Sequence, residues 1–72
     1  MNVSELKDFI NTKPIGSMLD IATSQYAGNT TSPGYRFDAH SSAQAVRSLI
    51  KQGLIKGENR WRYYEVEVIS HN

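Results

Sequence analysis

Residues 41–68 constrain this chain more than any other stretch: an apolar run at helical spacing ends at a glycine and gives way to strict apolar–polar alternation. Ser41 with Gln44 three places on makes a capping-box pattern, in which each side chain satisfies an orphan backbone group at a helix start. Val46, Leu49 and Ile50 fall on one helical face, with Ala43 completing the stripe. Gln44, Arg47, Ser48 and Lys51 share the other face, spaced i, i+3, i+4, i+7. Gly53 suits the left-handed residue after a helix, and Leu54 can fold back on the last turn as in a Schellman motif. Leu54, Ile55 and Lys56 then read as a strand, and Gly57, Glu58 and Asn59 as a turn. The return strand covers residues 60–69, where Tyr64, Val66 and Val68 alternate with Tyr63, Glu65 and Glu67. That alternation marks a sheet with one wet face.

Upstream, Asn2 and Glu5 form a second capping-box pattern, and Val3, Leu6, Phe9 and Ile10 make one apolar stripe. Lys13-Pro14 closes this helix, because the residue before proline is pushed out of the helical region. A further helix is expected over 16–24, with Ser17 as its cap, Met18, Leu19 and Ala22 inward, and Gly28 as its stop. A long loop follows at about 26–40, carrying the turn chemistry of Gly28-Asn29 and Ser32-Pro33-Gly34. A short strand at 35–37 would set Tyr35 and Phe37 on one face, so the loop is either a binding loop or a spacer that lays both rings on the core. The expected core is Val46, Leu49, Ile50, Leu54, Tyr64 and Val66 with Leu6, Phe9 and Ile10.

A length of 72 residues reads as one small domain, 1–72, which must hold itself together by packing because it has no cysteine. The start of the chain is polar, with no basic segment leading into an apolar one, and so does not read as a signal peptide. No apolar run approaches membrane-spanning length, so no membrane partner is expected and a cytoplasmic location is. Net charge is only +1, but it is unevenly placed. Residues 1–38 carry three basic and four acidic side chains, whereas residues 39–72 carry five basic and three acidic. A basic patch supplies the sequence-independent part of nucleic-acid binding, although ordinary charge scatter on a solvated surface gives the same count.

The segment Ala45-Val46-Arg47-Ser48-Leu49-Ile50-Lys51-Gln52-Gly53-Leu54-Ile55 resembles the recognition helix and first wing strand of bacterial winged helix-turn-helix regulators. Met18-Leu19-Asp20-Ile21-Ala22 looks loosely like the preceding helix of that fold. The resemblance implies an α+β winged helix-turn-helix, with three helices near 2–12, 16–24 and 41–52 and a C-terminal β-hairpin wing near 54–69. It is best over residues 41–68. It departs from the family in the length of the turn before the last helix, about fifteen residues. It also departs in offering Ser42 or Ala43 where a large aliphatic residue is usual.

On this reading the chain is a DNA-binding transcriptional regulator, with double-stranded DNA as partner and a homodimer expected, since one small module rarely gives enough specificity. Gln44 and Arg47 are the residue types that read adenine and guanine edges, and Ser42, Ser48 and Lys51 suit phosphate or base contacts. Lys56, Asn59, Arg60 and Arg62 at the wing suit phosphate or the minor groove. The alternative is a protein-interaction module or small inhibitor that docks on a larger protein partner through Tyr35, Trp61 and Tyr63. A solvated helix face and a charged, soluble hairpin account for the same residues without any partner. His40 and His71 are too few and too far apart to suggest a metal. No nucleophile motif is present, so no enzyme, catalytic residue, metal or cofactor is expected.

Overall fold

A computed structural model of the chain describes residues 1–23, 37–60 and 62–71. In order, the elements are α1 (Val3–Asn11), β1 (Met18–Ala22), β2 (Ala39–His40), α2 (Ala43–Lys51), β3 (Ile55–Arg60) and β4 (Tyr63–Val68). The strands form one mixed sheet in the order β2-β1-β4-β3, parallel between β1 and β2 and antiparallel elsewhere.

This arrangement corrects the expected winged helix-turn-helix with three helices. Among the described residues the chain is a small α+β unit with two helices and four strands. The helix expected over 16–24 is replaced by β1, where Met18 to Ile21 run exposed, buried, half-buried, buried, and Ala22 at the strand's end is buried as well. Met18 to Ile21 follow a period of two, and β1 is held by pairing with β4 from Met18 opposite Glu67 to Ala22 opposite Tyr63. Ser17 is not a helix cap. Its hydroxyl donates to the Pro14 carbonyl at 2.7 Å and its N–H to the same oxygen at 3.1 Å, closing a turn with Gly16 at φ +92.

The two helices follow their local chemistry. The N-cap Asn2 accepts from the Glu5 N–H at 2.8 Å, and the Glu5 carboxylate accepts from the Asn2 N–H at 3.0 Å. This reciprocal capping box starts α1. The α2 cap lies one residue later than the Ser41–Gln44 pattern suggests. Ser42 accepts from the Ala45 N–H at 3.1 Å, while the largely buried Ser41 hydroxyl donates to the Met1 carbonyl at 2.9 Å. With Ala45 as the third helical residue, no reciprocal side chain exists. Helix α2 ends in a Schellman motif. Gly53 at φ +80 donates to the Ile50 carbonyl at 3.0 Å, and Leu54 to the Leu49 carbonyl at 3.1 Å.

Both helices cover one face of the sheet. Leu6, Ile10, Val46, Leu49, Leu54, Tyr64 and Val66 are buried as the apolar stripes suggest, and Leu19, Ile21, Ala39, Ala45, Ile55 and Val68 join them. Phe9 and Ile50 sit at the rim of this core, half-buried. The Phe9 ring carries the Lys13 ammonium 5.0 Å from its centre.

The hairpin turn also moves. Residues 57–59 lie inside β3, which stays paired with β4 as far as Arg60 opposite Tyr63, and Arg62 just before β4 has φ +71. Gly57 is a glycine because β4 passes too close for any side chain. A Cβ there would lie 2.1 Å from the Glu65 carbonyl oxygen. The short strand expected at 35–37 falls largely outside the described residues; the observed strand is Ala39–His40.

Candidate nucleic-acid interface

One end of the molecule gathers the start of α2, the ends of β1 and β2, and the hairpin turn. Ser41 donates to the Ala22 carbonyl at 2.8 Å, Thr23 to the Arg62 carbonyl at 3.0 Å, and the Met1 ammonium to the His40 carbonyl at 2.9 Å. From that end α2 runs toward Gly53 with Gln44, Arg47 and Lys51 exposed, each about one turn from the next. Ser42 is exposed at the cap. Ser48 is half-buried, and its hydroxyl accepts from Gln52 Nε2 at 3.3 Å. Among the described residues neither Arg47 nor Lys51 forms an ion pair. The outer face of α2 is therefore a strip of free donors with two cations and no carboxylate.

The hairpin behaves differently. Its register places Lys56, Glu58 and Arg60 beside Glu67, Glu65 and Tyr63 on the sheet face opposite α1 and α2. Lys56 Nζ lies 3.8 Å from Glu67, while the Arg60 guanidinium lies 3.2 Å from Glu58 and 3.5 Å from Glu65. Such exposed pairs add about 0.2–1 kcal/mol each to stability, but they offset the charge that would attract phosphate. Asn59 points to the opposite, helix-bearing side of the sheet, opposite Tyr64, and is exposed. Arg62 is half-buried at the turn. The structure thus brings Ser42, Gln44, Arg47, Ser48 and Lys51 together on one helix, sets Asn59 on the same side of the sheet, and turns Lys56 and Arg60 away.

Of the expected protein-contact residues, Tyr35 and Trp61 lie outside the described residues. Tyr63 is half-buried, its ring 5.5 Å from that of Phe37, which in turn meets the exposed His40 ring edge-on at 5.9 Å. This aromatic group escaped the sequence reading because Phe37 and Tyr63 lie 26 positions apart and meet through the pairing of β1 with β2 on one side and β4 on the other. The alternation of β4 was the one available signal, and it gave the face of Tyr63 but not its neighbour.

The open sheet face was likewise missed. It carries Asp20, Glu58, Glu65 and Glu67 against Lys56 and Arg60, so its balance is acidic. Met18, 62% exposed, borders a shallow depression of about 360 Å³ there, whose charged walls already pair with one another. Among the described residues, no group of three or more His, Asp or Glu side chains could hold a metal ion. His71 bonds through Nε2 to the Lys13 carbonyl, remote from His40. No helix among the described residues is long and apolar enough to cross a membrane. Comparison with protein-family models, curated proteins and solved structures finds no match to this chain.

Proposed function

We propose that this chain binds double-stranded DNA through the outer face of α2, laid in the major groove, with Asn59 and Arg62 of the hairpin reaching the flanking backbone. The observation that carries this reading is the pairing contrast between its cations. Arg47 and Lys51 are exposed with no carboxylate partner among the described residues, whereas Lys56 and Arg60 are held by Glu67, Glu58 and Glu65. The acidic balance of the open sheet face supports the same orientation, since it repels phosphate from that side. Gln44 and Arg47 have the side chains that bond adenine and guanine edges in two places at once.

The test is a titration of a labelled random-sequence duplex with the chain at increasing salt. Two phosphate contacts predict a log–log slope of roughly −2. Absence of binding at low salt removes the proposal.

A second reading rests on the ion-paired hairpin. A surface whose cations are already held by its own carboxylates suits a protein partner better than a polyanion, and Tyr63 with Phe37 offers an apolar contact beside it. Loss of a protein contact on Tyr63→Ala, in a chain that ignores DNA, would favour it.

A further inference from the structure

Among the described residues β3 is an outer strand: its neighbour in the sheet is β4, and no strand lies on its other edge. The hydrogen bonds define which peptide groups lie there. Thr23 donates to the Arg62 carbonyl at 3.0 Å and Val68 to the Ser17 carbonyl at 2.9 Å, so the even-numbered residues of β4 bond toward β1. Antiparallel ladders alternate, so Tyr63, Glu65 and Glu67 bond toward Arg60, Glu58 and Lys56. The peptide groups of Gly57 and Asn59 therefore point to the outer edge. Beyond Ile55 the residues of β3 are exposed on both faces, so neither helix blocks the approach of another strand.

We propose that this edge pairs with β3 of a second copy of the chain, antiparallel, about a twofold axis through Gly57. Charges on an edge strand ordinarily deter such pairing. Here they alternate, Lys56, Glu58, Arg60, and so discriminate between registers. An axis through Glu58 sets Glu58 opposite Glu58 and Lys56 opposite Arg60, which repel. An axis through Asn59 sets Glu58 opposite Arg60 but Lys56 opposite Arg62. An axis through Gly57 sets Lys56 of each copy opposite Glu58 of the other, twice. It also joins the two Gly57 peptides at the centre and keeps all pairing within residues 55–59. Because the pairing extends the sheet edge to edge, the helices of both copies lie on the same face of the joined sheet. The inference is independent of any nucleic acid.

Sedimentation equilibrium of the full chain, from micromolar to millimolar concentration, tests it by charge reversal. The unmutated chain should self-associate to two copies. Lys56→Glu and Glu58→Lys should each weaken this about tenfold or more, because two attractive cross-strand contacts become repulsive. An equimolar mixture of the two variants should regain the dimer, since each reversed residue then meets its opposite. The double variant Lys56→Glu/Glu58→Lys should regain it alone. A chain that stays monomeric at millimolar concentration overturns the proposal. So does a dimer indifferent to the single reversals, or variants that neither the mixture nor the double variant rescues. Loss on Glu58→Lys without loss on Lys56→Glu overturns the Gly57 axis in favour of the Asn59 one.

Discussion

Gly57 and Val66 face each other across β3 and β4 with no room for a further atom between them. A Cβ at position 57 would lie 2.7 Å from the Val66 Cα and 2.8 Å from its Cγ1. These obstacles, with the Glu65 carbonyl, are mostly backbone and cannot swing aside. Gly57→Ala should therefore cost about 3 kcal/mol, the upper end of overpacking penalties, and loosen the hairpin. Gly53→Ala is the control. Space around Gly53 is open, and only its φ of +80 resists a side chain, so its cost should be about 1 kcal/mol. Urea melts of both variants measure the difference. Equal losses would mean that Gly57 serves as a flexible turn residue after all.

Leu49 sits where α2 meets the sheet and is fully buried. Leu49→Ala removes three carbons from a closed core and should cost about 2–5 kcal/mol. A chain of this size has roughly 5 kcal/mol in total, so the variant should melt well below the parent or be unfolded at room temperature. Ile15, 56% exposed in the turn after α1, gives the contrast. Ile15→Ala should change the melting curve by less than about 0.5 kcal/mol. A Leu49→Ala melt coincident with the parent would place that helix face outside the core.

The parts of the fold that could be read from residues are those whose causes are local. Asn2 with Glu5, Pro14, and Gly53 with Leu54 act within a few positions of themselves, and α1 and the end of α2 follow from them. β1 was not readable for the opposite reason. Leu19, Ile21 and Ala22 in five residues fit a helical or a strand period, and the choice is made by Tyr64 and Val66, more than forty positions away. Gly57, Glu58 and Asn59 look like turn chemistry, but Gly57 answers a steric demand from β4. The β3–β4 pairing continues past them to Arg60 opposite Tyr63, and the sequence between those two residues has no glycine. At the candidate interface, spacing placed Gln44, Arg47 and Lys51 on one exposed face. It could not place Lys56 and Arg60 on the far side of the sheet, because that depends on the β3–β4 register.

The capping box at α1 gives a smaller but cleaner test. Asn2→Ala leaves the Glu5 N–H without its acceptor and should cost about 1 kcal/mol. Glu5→Gln keeps an acceptor for the Asn2 N–H and should cost only a few tenths of that amount. Thermal melts resolve the two. Because the Met1 carbonyl accepts from Ser41, loss of the cap should also increase amide exchange at the start of α2. Protection there that is unchanged by Asn2→Ala would show that the two helix starts are uncoupled.

Two arginines differ in what holds them. Arg47 projects from the exposed face of α2 without a carboxylate partner among the described residues. Arg60 lies on the open sheet face between Glu58 and Glu65. If α2 enters the major groove, Arg47→Ala should cost roughly 1–3 kcal/mol on a preferred duplex and relax base preference at one position. Arg60→Ala frees two carboxylates on the opposite side of the sheet, so its effect should be confined to a weak, long-range repulsion that vanishes as salt is raised. Both side chains are exposed, so neither change should shift the melting curve by more than about 1 kcal/mol. Equilibrium binding of each variant to selected and random duplexes, at low and near-physiological salt, separates the cases. A larger loss from Arg60→Ala than from Arg47→Ala would move the DNA from the α2 face to the open face of the sheet and overturn the proposed orientation.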